Sequence, residues 1–214
     1  MRRLLVLPFV FFCLHAAAAQ LHVTAPDSLA DAPLGVHVSG LQPTEVVELR
    51  LSMQDAAGGR WRSRAVFRAD LDGQVDAATS ASETGTYLGV DPTGLLWSMQ
   101  PEGAARPLPF PVKKREGQLD FMPAGFTLEM VQAGQVRDTR SVRRWIGGPD
   151  VTAAAVEHAG LTAHLYMPAR ARTDGRRHPA VITLGGSEGG IQSADMYAAW
   201  LASHGFVAMS VAYY

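Results

Sequence analysis

The sequence predicts an antiparallel β-sandwich followed by the opening strands of an α/β domain. Three observations predict this: apolar and polar residues alternate over most of the chain, the later strands are continuously apolar, and a glycine-rich loop with a helical pattern lies between two of them. The chain has 214 residues, enough for one large domain or two small ones, and the change in patterning favours two.

The first 19 residues form a predicted signal peptide. Arg2 and Arg3 precede an apolar run at 4–12, and small residues at 16–19 provide a cleavage region. A membrane-spanning helix needs ~20 apolar residues, so we expect an exported protein, periplasmic or secreted, without a stable membrane anchor. The only cysteine, Cys13, lies inside this segment, and the mature chain is expected to have no disulfide and no cysteine-ligated metal.

Charge and histidine spacing argue against several classes of function. The 19 Lys and Arg residues nearly balance the 20 Asp and Glu residues, and no long basic run is available to neutralise a series of phosphates, so nucleic acid is not an expected partner. His158, His164 and His178 lack a metal-ligand spacing and are expected to be hydrogen-bonded or surface histidines. The sequence predicts no metal and no cofactor.

Short alternating segments fill residues 20–145. The clearest is 47–53, where Val47, Leu49, Leu51 and Met53 alternate with polar residues, as expected of a strand with one buried face. Further strands are predicted at 34–38, 61–69, 87–90, 96–99 and 126–130, with Gly, Asp and Pro between them as turn residues. This spacing, with no convincing helix, predicts an Ig-like antiparallel sandwich.

Two residue groups in this region could bind a ligand. Trp97 could line a groove, but a tryptophan in a sandwich strand is expected in the core. A basic cluster could meet an acidic ligand, but its interleaving with strand positions favours a solvated sheet face. The cluster consists of Arg137, Arg140, Arg143 and Arg144.

Residues 146–214 predict the start of an α/β domain. Residues 161–167 still alternate, whereas Ala180–Leu184 is continuously apolar, as expected of a strand buried on both faces. A helix with Ser193 as N-cap and Gly205 as stop leads to a second apolar strand, predicted to be parallel to the first. So small a parallel sheet leaves apolar surface uncovered, and the sequence is therefore expected to be a fragment of a longer protein.

The loop between that strand and helix contains G-x-S-x-G, the pattern of a nucleophile elbow. Taken literally, Ser187 would be the nucleophile, with Asp195 and His204 as partners, because no other histidine follows. Both partners fall on the predicted helix, on opposite faces and ~13 Å apart along its axis. They therefore cannot act together on Ser187.

A second use of such a loop fits better. In α/β-hydrolases the glycine-rich turn after an early strand supplies a backbone N–H to the oxyanion hole, and glycine permits close approach of the backbone. The predicted oxyanion loop consists of Gly185, Gly186, Ser187, Glu188 and Gly189. An ordinary tight turn that opens a helix and a nucleophilic Ser187 are the alternatives.

Two stretches of the chain carry a family resemblance. One is G-T-Y-L-G-V-D-P-T-G-L-L-W-S-M at 85–99, and the other runs from 142–145 through Gly186 to A-A-W-L-A-S-H-G-F-V-A-M-S-V-A-Y-Y at 198–214. Both resemble the acyl-CoA thioesterases and bile acid-CoA:amino acid N-acyltransferases. The resemblance covers essentially the whole mature chain. It implies a β-sandwich at 20–145 and a truncated α/β-hydrolase domain at 146–214.

The resemblance also implies a reaction. A Cys or Ser nucleophile, an acid and a His are expected after Tyr214, so the chain as given holds no catalytic residue and is expected to be inactive. The full enzyme is expected to attack an acyl thioester or ester, form an acyl-enzyme, and pass the acyl group to water or an amino acid. The alternatives are a non-catalytic exported binding module and an oxygen-ester hydrolase of the dienelactone-hydrolase type.

Overall fold

A computed structural model describes residues 18–103, 112–115, 118–158, 160–187 and 189–212. Residues 1–17 of the predicted signal peptide and Glu188 of the predicted oxyanion loop lie outside the described residues.

Sixteen strands and two α-helices make up the described chain, together with a short 3-10 helix at Ala169–Arg172. The strands are β1 (Gln20–Thr24), β2 (Asp27–Leu29), β3 (Gly35–Ser39), β4 (Val46–Gln54), β5 (Arg60–Arg68), β6 (Val75–Asp76), β7 (Thr84–Gly85), β8 (Gln100–Pro101), β9 (Val112–Arg115), β10 (Gln118–Phe121), β11 (Ala124–Gln132), β12 (Gln135–Trp145), β13 (Val151–His158), β14 (Leu161–Pro168), β15 (Ala180–Leu184) and β16 (Val207–Ala212). The helices are α1 (Gly94–Trp97) and α2 (Gln192–Ser203).

The first region is built from two sheets that share one hydrophobic core. The smaller sheet has the order β1-β3-β6, and the larger has the order β2-β12-β11-β4-β5-β7 with β8 beside β5. Leu21 and Val38 of the smaller sheet and Leu49, Phe67 and Leu128 of the larger belong to this core, and all five are fully buried. The predicted sandwich is therefore present, with β9 and β10 forming a separate hairpin.

Strand pairing departs from the prediction at one edge of the larger sheet. Among the pairings described in this sheet, β2 with β12 is the parallel one, with Arg144 opposite Ser28, while the others are antiparallel. β1 and β3 belong to the smaller sheet, and β2, which lies between them in the sequence, joins the edge of the larger sheet. The region is thus not purely antiparallel.

Two predicted strands are not strands. Residues 87–90 form a loop with one bridge between Ser82 and Gly89, and residues 94–97 form α1. Asp91 causes the helical turn because its Oδ1 accepts hydrogen bonds from the backbone N–H and hydroxyl of Thr93, at 2.8 and 2.9 Å. Alternation of apolar residues gave the wrong prediction here, since these local side-chain hydrogen bonds compete with strand pairing.

The second region is one sheet with the order β13-β14-β16-β15. β15 and β16 are parallel, as predicted, and connected through α2. The helix begins at Gln192 with Ile191 as N-cap, so the prediction of Ser193 was wrong by two residues; Gly205, at φ +93°, follows its C-terminal end as predicted.

The expectation that β15 is buried on both faces was wrong. Thr183 faces α2 and donates a hydrogen bond to the carbonyl of Ala194 at 2.9 Å. On the opposite face Ile182 and Leu184 are 64% and 54% exposed. Helix α2 thus covers one face of this strand, and its apolar residues on the other face meet solvent.

The junction between the two regions is short and hydrogen-bonded. Trp145, the last residue of β12, accepts a hydrogen bond from the N–H of Ala30 at 2.7 Å, and Ile146 is already part of the second core. The hydroxyl of Ser203 accepts from the N–H of Gly148 at 2.8 Å and donates to the carbonyl of Ala199 at 3.0 Å. One side chain of α2 therefore holds the connecting segment against the helix.

Candidate active-site loop and the buried polar cluster beneath it

The glycine-rich loop lies at the carboxyl end of β15 and leads into the N-terminus of α2. Gly189 and Gly190 have φ values of +69° and +75°, in the left-handed region that favours glycine. The N–H of Gly189 donates to the carbonyl of Gly186 at 3.2 Å, and the side chain of Ser187 is exposed. Ligands of α/β sheets bind at this end of the strands.

Gly185 is constrained by its neighbours. A Cβ added there would lie 3.2 Å from the carbonyl oxygen of Gly190 and 3.2 Å from the hydroxyl of Ser193. These atoms belong to the loop itself and to the first turn of α2. A larger residue at this position would therefore displace the loop relative to the helix.

The first turn of α2 combines the partial positive charge of a helix N-terminus with the buried carboxyl group of Asp195. Unpaired N–H groups at a helix N-terminus carry a partial positive charge of roughly half a unit. A loop of exposed glycine backbone beside them can present N–H groups to a developing oxyanion. The loop is thus a candidate for binding an anion or an oxyanion, and among the described residues no basic side chain is hydrogen-bonded to Ser187.

A buried polar cluster fixes the first turn of α2 to the sheet. Asp195 is fully buried, and its Oδ1 and Oδ2 lie 2.9 and 3.1 Å from Nδ1 of His164 on β14. The hydroxyl of Ser210, on β16, donates to Asp195 Oδ1. His164 and Ser210 are register partners, so both side chains point from adjacent strands to the same carboxyl group.

The cluster separates the two residues that the literal elbow pattern would pair. Asp195 is occupied by His164 and Ser210, whereas Nε2 of His204 lies 2.7 Å from Oδ2 of Asp31 in the first region. Among the described hydrogen bonds, none joins either side chain to Ser187. A Ser187-Asp195-His204 triad is therefore not assembled in this structure.

Sequence reasoning did not find this cluster. His164 was expected to be hydrogen-bonded or on the surface; it is buried and bonded to Asp195, whereas His178 is near the surface beside Asp174 at 3.0 Å. The signal was available in the period of two, because His164 shares a strand face with the buried Tyr166.

Two expectations for the sandwich were wrong. Trp97 is 62% exposed, not in the core, and its Nε1 donates to Oδ2 of Asp91 at 2.8 Å. Arg144, expected on a solvated face, is 1% exposed because it shares the inner face of β12 with Val142. Burial lowers the pKa of the Arg144 guanidinium, and Asp27 partly offsets this effect.

The rest of the basic cluster is on the solvent side, as expected. Arg143 pairs with Asp27 and Arg140 pairs with Asp138, while Arg137 is exposed. Among the described residues, no three His, Cys, Asp or Glu side chains come together as a metal site would require. In the same part of the chain no helix has the length and apolar character needed to cross a bilayer.

Comparison with known proteins places these features in a family. Residues 31–158 match the profile described as acyl-CoA thioester hydrolase/BAAT N-terminal region. The chain is 32% identical to human bile acid-CoA:amino acid N-acyltransferase over 200 residues, covering 91% of this chain and 46% of that protein.

Two rodent proteins give similar results. Mouse acyl-coenzyme A thioesterase 6 is 34% identical over 204 residues, covering 92% of this chain and 45% of that protein. Rat acyl-coenzyme A thioesterase 1 is 32% identical over 189 residues, covering 86% of this chain and 42% of that protein. The chain spans about half the length of the curated relatives it matches. Since the family profile covers more than half of the residues, the chain belongs to the acyl-CoA thioester hydrolase/BAAT family.

Proposed function

We propose that the protein acts on acyl thioesters, as a thiolester hydrolase or a related acyltransferase that works through an acyl-enzyme. The observation that carries this proposal is the family assignment, because the matched relatives are named as acyl-coenzyme A thioesterases and an N-acyltransferase. The nucleophile, acid and His of the reaction are proposed to follow Tyr214.

Within this chain the proposed catalytic element is the oxyanion loop, Gly185–Gly189. Its position at the carboxyl end of β15, beside the N-terminus of α2, supports the assignment. The loop would bind the developing oxyanion while the nucleophile attacks.

We also propose the organisation of the chain. Residues 1–19 would direct export, 20–145 would form the sandwich domain, and 146–214 would begin an α/β-hydrolase domain. If the protein is exported as proposed, it would meet little acyl-CoA, an intracellular metabolite, and its substrate would be another thioester or an oxygen ester. Parallel assays of the native protein with an acyl-CoA, a simple acyl thioester and the matching oxygen ester would identify which leaving group is accepted.

The role of the loop is tested in the native protein with three substitutions. Gly185→Ala is expected to lower kcat by about ten-fold or more, because it displaces N–H donors whose loss in oxyanion holes costs ~10²–10³ in rate. Ser187→Ala is expected to leave kcat within about two-fold. Gly125→Ala in β11 is the matched control, because an added Cβ there meets nothing within 4 Å.

Two outcomes would contradict the assignment. Loss of turnover in Ser187→Ala would make Ser187 the nucleophile, and an unchanged kcat in Gly185→Ala would remove the loop from catalysis. Both conclusions require that Ser187→Ala and Gly185→Ala have the same thermal stability as Gly125→Ala.

A non-catalytic binding module is the second candidate, favoured by a largely apolar cavity of about 540 Å³ in the sandwich, lined by Met53, Trp61, Leu96 and Phe126 among others. The intact mass of the native protein distinguishes the two. A product larger by roughly one to two hundred residues, the size of the rest of a hydrolase domain, supports the enzyme. A mass equal to that of this chain after signal removal supports the binding module.

A further inference from the structure

Two histidines face each other on the outer surface of the smaller sheet. His22 of β1 and His37 of β3 are register partners across the antiparallel pair, and their ring centroids lie 6.4 Å apart at an interplanar angle of 36°. Side chains directly opposite one another in such a pair have Cβ atoms ~4.5–5.5 Å apart. The two imidazoles therefore occupy neighbouring positions that the backbone fixes.

The core side of the same strands holds this arrangement in place. Leu21, Val36 and Val38, which alternate with the two histidines along the strands, are buried in the sandwich core. A slip of one residue would turn the histidines into the core and the apolar residues into solvent, so the register is strongly specified. The exposed ring of His22 and the half-buried ring of His37 thus stay on the solvent side.

The ring of His22 leans towards the neighbouring strand. Its Nε2 lies 3.5 Å from the hydroxyl of Ser39, which is two residues after His37 on the same face of β3. That separation is at the outer limit of a hydrogen bond and holds the nitrogen only weakly. A nitrogen of His22 therefore lies beside β3, where it can exchange Ser39 for a ligand shared with His37.

A carboxyl group continues this row of side chains. Asp76 of β6 is exposed and is the register partner of His37 on the side away from His22. Its Oδ1 accepts a hydrogen bond from the N–H of Ala78 at 2.9 Å, which orients the carboxyl group. The segments β1, β3 and β6 contain no Lys or Arg. The row therefore combines two imidazoles with a negative charge, which favours a cation over an anion.

The distance between the rings fits one shared metal ion. At the ~2.0–2.1 Å typical of zinc–imidazole bonds, two rings that share an ion have centroids ~4.5–6.5 Å apart, depending on the angle at the ion. The observed 6.4 Å lies near the upper end of this range, and rotation of the exposed His22 ring can shorten it. Imidazole nitrogen is a preferred ligand of zinc, copper and nickel ions.

We propose that His22 and His37 bind a divalent transition-metal ion that links β1 to β3, with Zn²⁺ as the probe ion. The pair supplies two ligands, fewer than the three or four of a resident zinc centre, so water completes the coordination and the ion is exchangeable. β1 lies at the edge of the smaller sheet, and the ion fastens it to its neighbour. The site is on the sandwich and does not depend on the proposed acyl transfer.

The first test titrates the unaltered full chain with Zn²⁺ after treatment with a chelator. Calorimetry is expected to show saturable binding. The Tm is expected to rise by a few degrees at about a hundred-fold excess of free Zn²⁺ over the Kd, because the ion joins two strands that separate on unfolding. No saturable binding, or binding without a rise in Tm, would overturn the proposal.

The second test locates the site with single substitutions. His22→Gln and His37→Gln are each expected to weaken Zn²⁺ binding by about ten-fold or more and to abolish the rise in Tm, because the second imidazole acts at a high effective concentration. His158→Gln is the matched control, since it removes an exposed histidine of β13 in the other region, and is expected to keep the Kd within about two-fold. Affinity equal to that of the control in either variant would overturn the assignment of the pair.

Chemical modification of the unaltered chain decides the outcome if a variant does not fold. Zn²⁺ is expected to protect both His22 and His37 from diethyl pyrocarbonate, which attacks a free imidazole nitrogen, and to leave the exposed His158 reactive. Protection of fewer than both, or equal protection of His158, would overturn the proposal. Thioester turnover in the native protein is measured separately, so a failed metal test leaves the proposed reaction intact.

Discussion

The two regions of the molecule use similar strands but bury them differently. Within the described residues the sandwich core contains 21 buried hydrophobic residues, whereas the core beneath α2 contains six, of which four are alanines. Burial of a large aliphatic side chain contributes ~1.5–3 kcal/mol, and an alanine much less. The second region therefore depends more on specific polar contacts, above all those of Asp195.

The largest expected effect comes from the sandwich core. Leu128→Ala, at a fully buried position, is expected to lower the free energy of unfolding by ~2–5 kcal/mol, because it removes apolar contacts and leaves a cavity. Leu184→Ala is the matched change in the second region, where the side chain is 54% exposed, and is expected to cost less than ~0.5 kcal/mol. Urea unfolding measures both. Equal costs would mean that the exposed face of β15 is buried in solution.

The next effect tests the polar cluster. Asp195→Ala is expected to cost ~2–3 kcal/mol, because it leaves His164 and Ser210 buried without their shared acceptor. Hydrogen exchange is expected to accelerate in α2, β14 and β16 and to stay unchanged in the sandwich. Asp31→Ala removes the partly exposed pair with His204 and is expected to cost less than ~1 kcal/mol. The same exchange pattern in both variants would mean that the contacts of Asp195 do not stabilise the second region more than an exposed ion pair does.

Acid is expected to lower the stability of the sandwich where Asp91 and Asp55 accept hydrogen bonds from Trp97 and Trp61. Hydrogen bonds from Thr93 and then Trp97 lower the pKa of Asp91, and hydrogen bonds from Trp61 and backbone amides outweigh burial to lower the pKa of Asp55. A lowered pKa in the folded state gives stability that is present above the unfolded value of ~3.9 and is lost as pH falls through the folded value.

Asp91→Asn tests this dependence. The variant is expected to show a shallower fall of unfolding free energy between about pH 5 and about pH 2.5 than the unaltered chain. Asp72→Asn, in an exposed turn, is the matched control for the loss of one surface carboxyl group. Identical slopes in the unaltered chain and both variants would show that the hydrogen bond between Trp97 and Asp91 contributes nothing to the dependence of stability on pH.

The smallest change in stability is expected at Ile182. Ile182→Thr is expected to alter the free energy of unfolding by less than ~0.5 kcal/mol, since the side chain is 64% exposed. It is also expected to reduce self-association, because it removes apolar surface from a strand at the edge of its sheet. Sedimentation at several concentrations measures this. Unchanged self-association would mean that a surface other than Ile182 mediates it.

Sequence patterning predicted the regular strands well and the special positions poorly. The alternation at 47–53 and 61–69 corresponds to β4 and β5, because one face of each packs into the sandwich core. The strand predicted at 96–99 was wrong, since α1 occupies 94–97 and the hydrogen bonds of Asp91 to Thr93 just before it are a local effect that alternation does not record.

The candidate sites show the same limit. Composition predicted the glycine-rich loop and its place between β15 and α2, but the partners of Asp195 come from strands 31 and 15 residues away in the chain. Arg144 was placed on the solvent side with the rest of the basic cluster, because the cluster interleaves with strand positions. Its spacing of two from the apolar Val142 puts it instead on the buried face of β12.

The hydrogen-bonded junction has a consequence for how the molecule can be cut. Proteases need a segment that can unfold locally into an extended substrate, and such segments are exposed and weakly bonded. Between Trp145 and Val151 the backbone is bonded to Ala30 and Ser203, and Gly147 packs so closely on α2 that an added Cβ would lie 3.1 Å from the Cβ of Ala199. Limited proteolysis is therefore expected to cleave exposed surface loops before it cleaves the segment 145–151 that connects the sandwich to the second region.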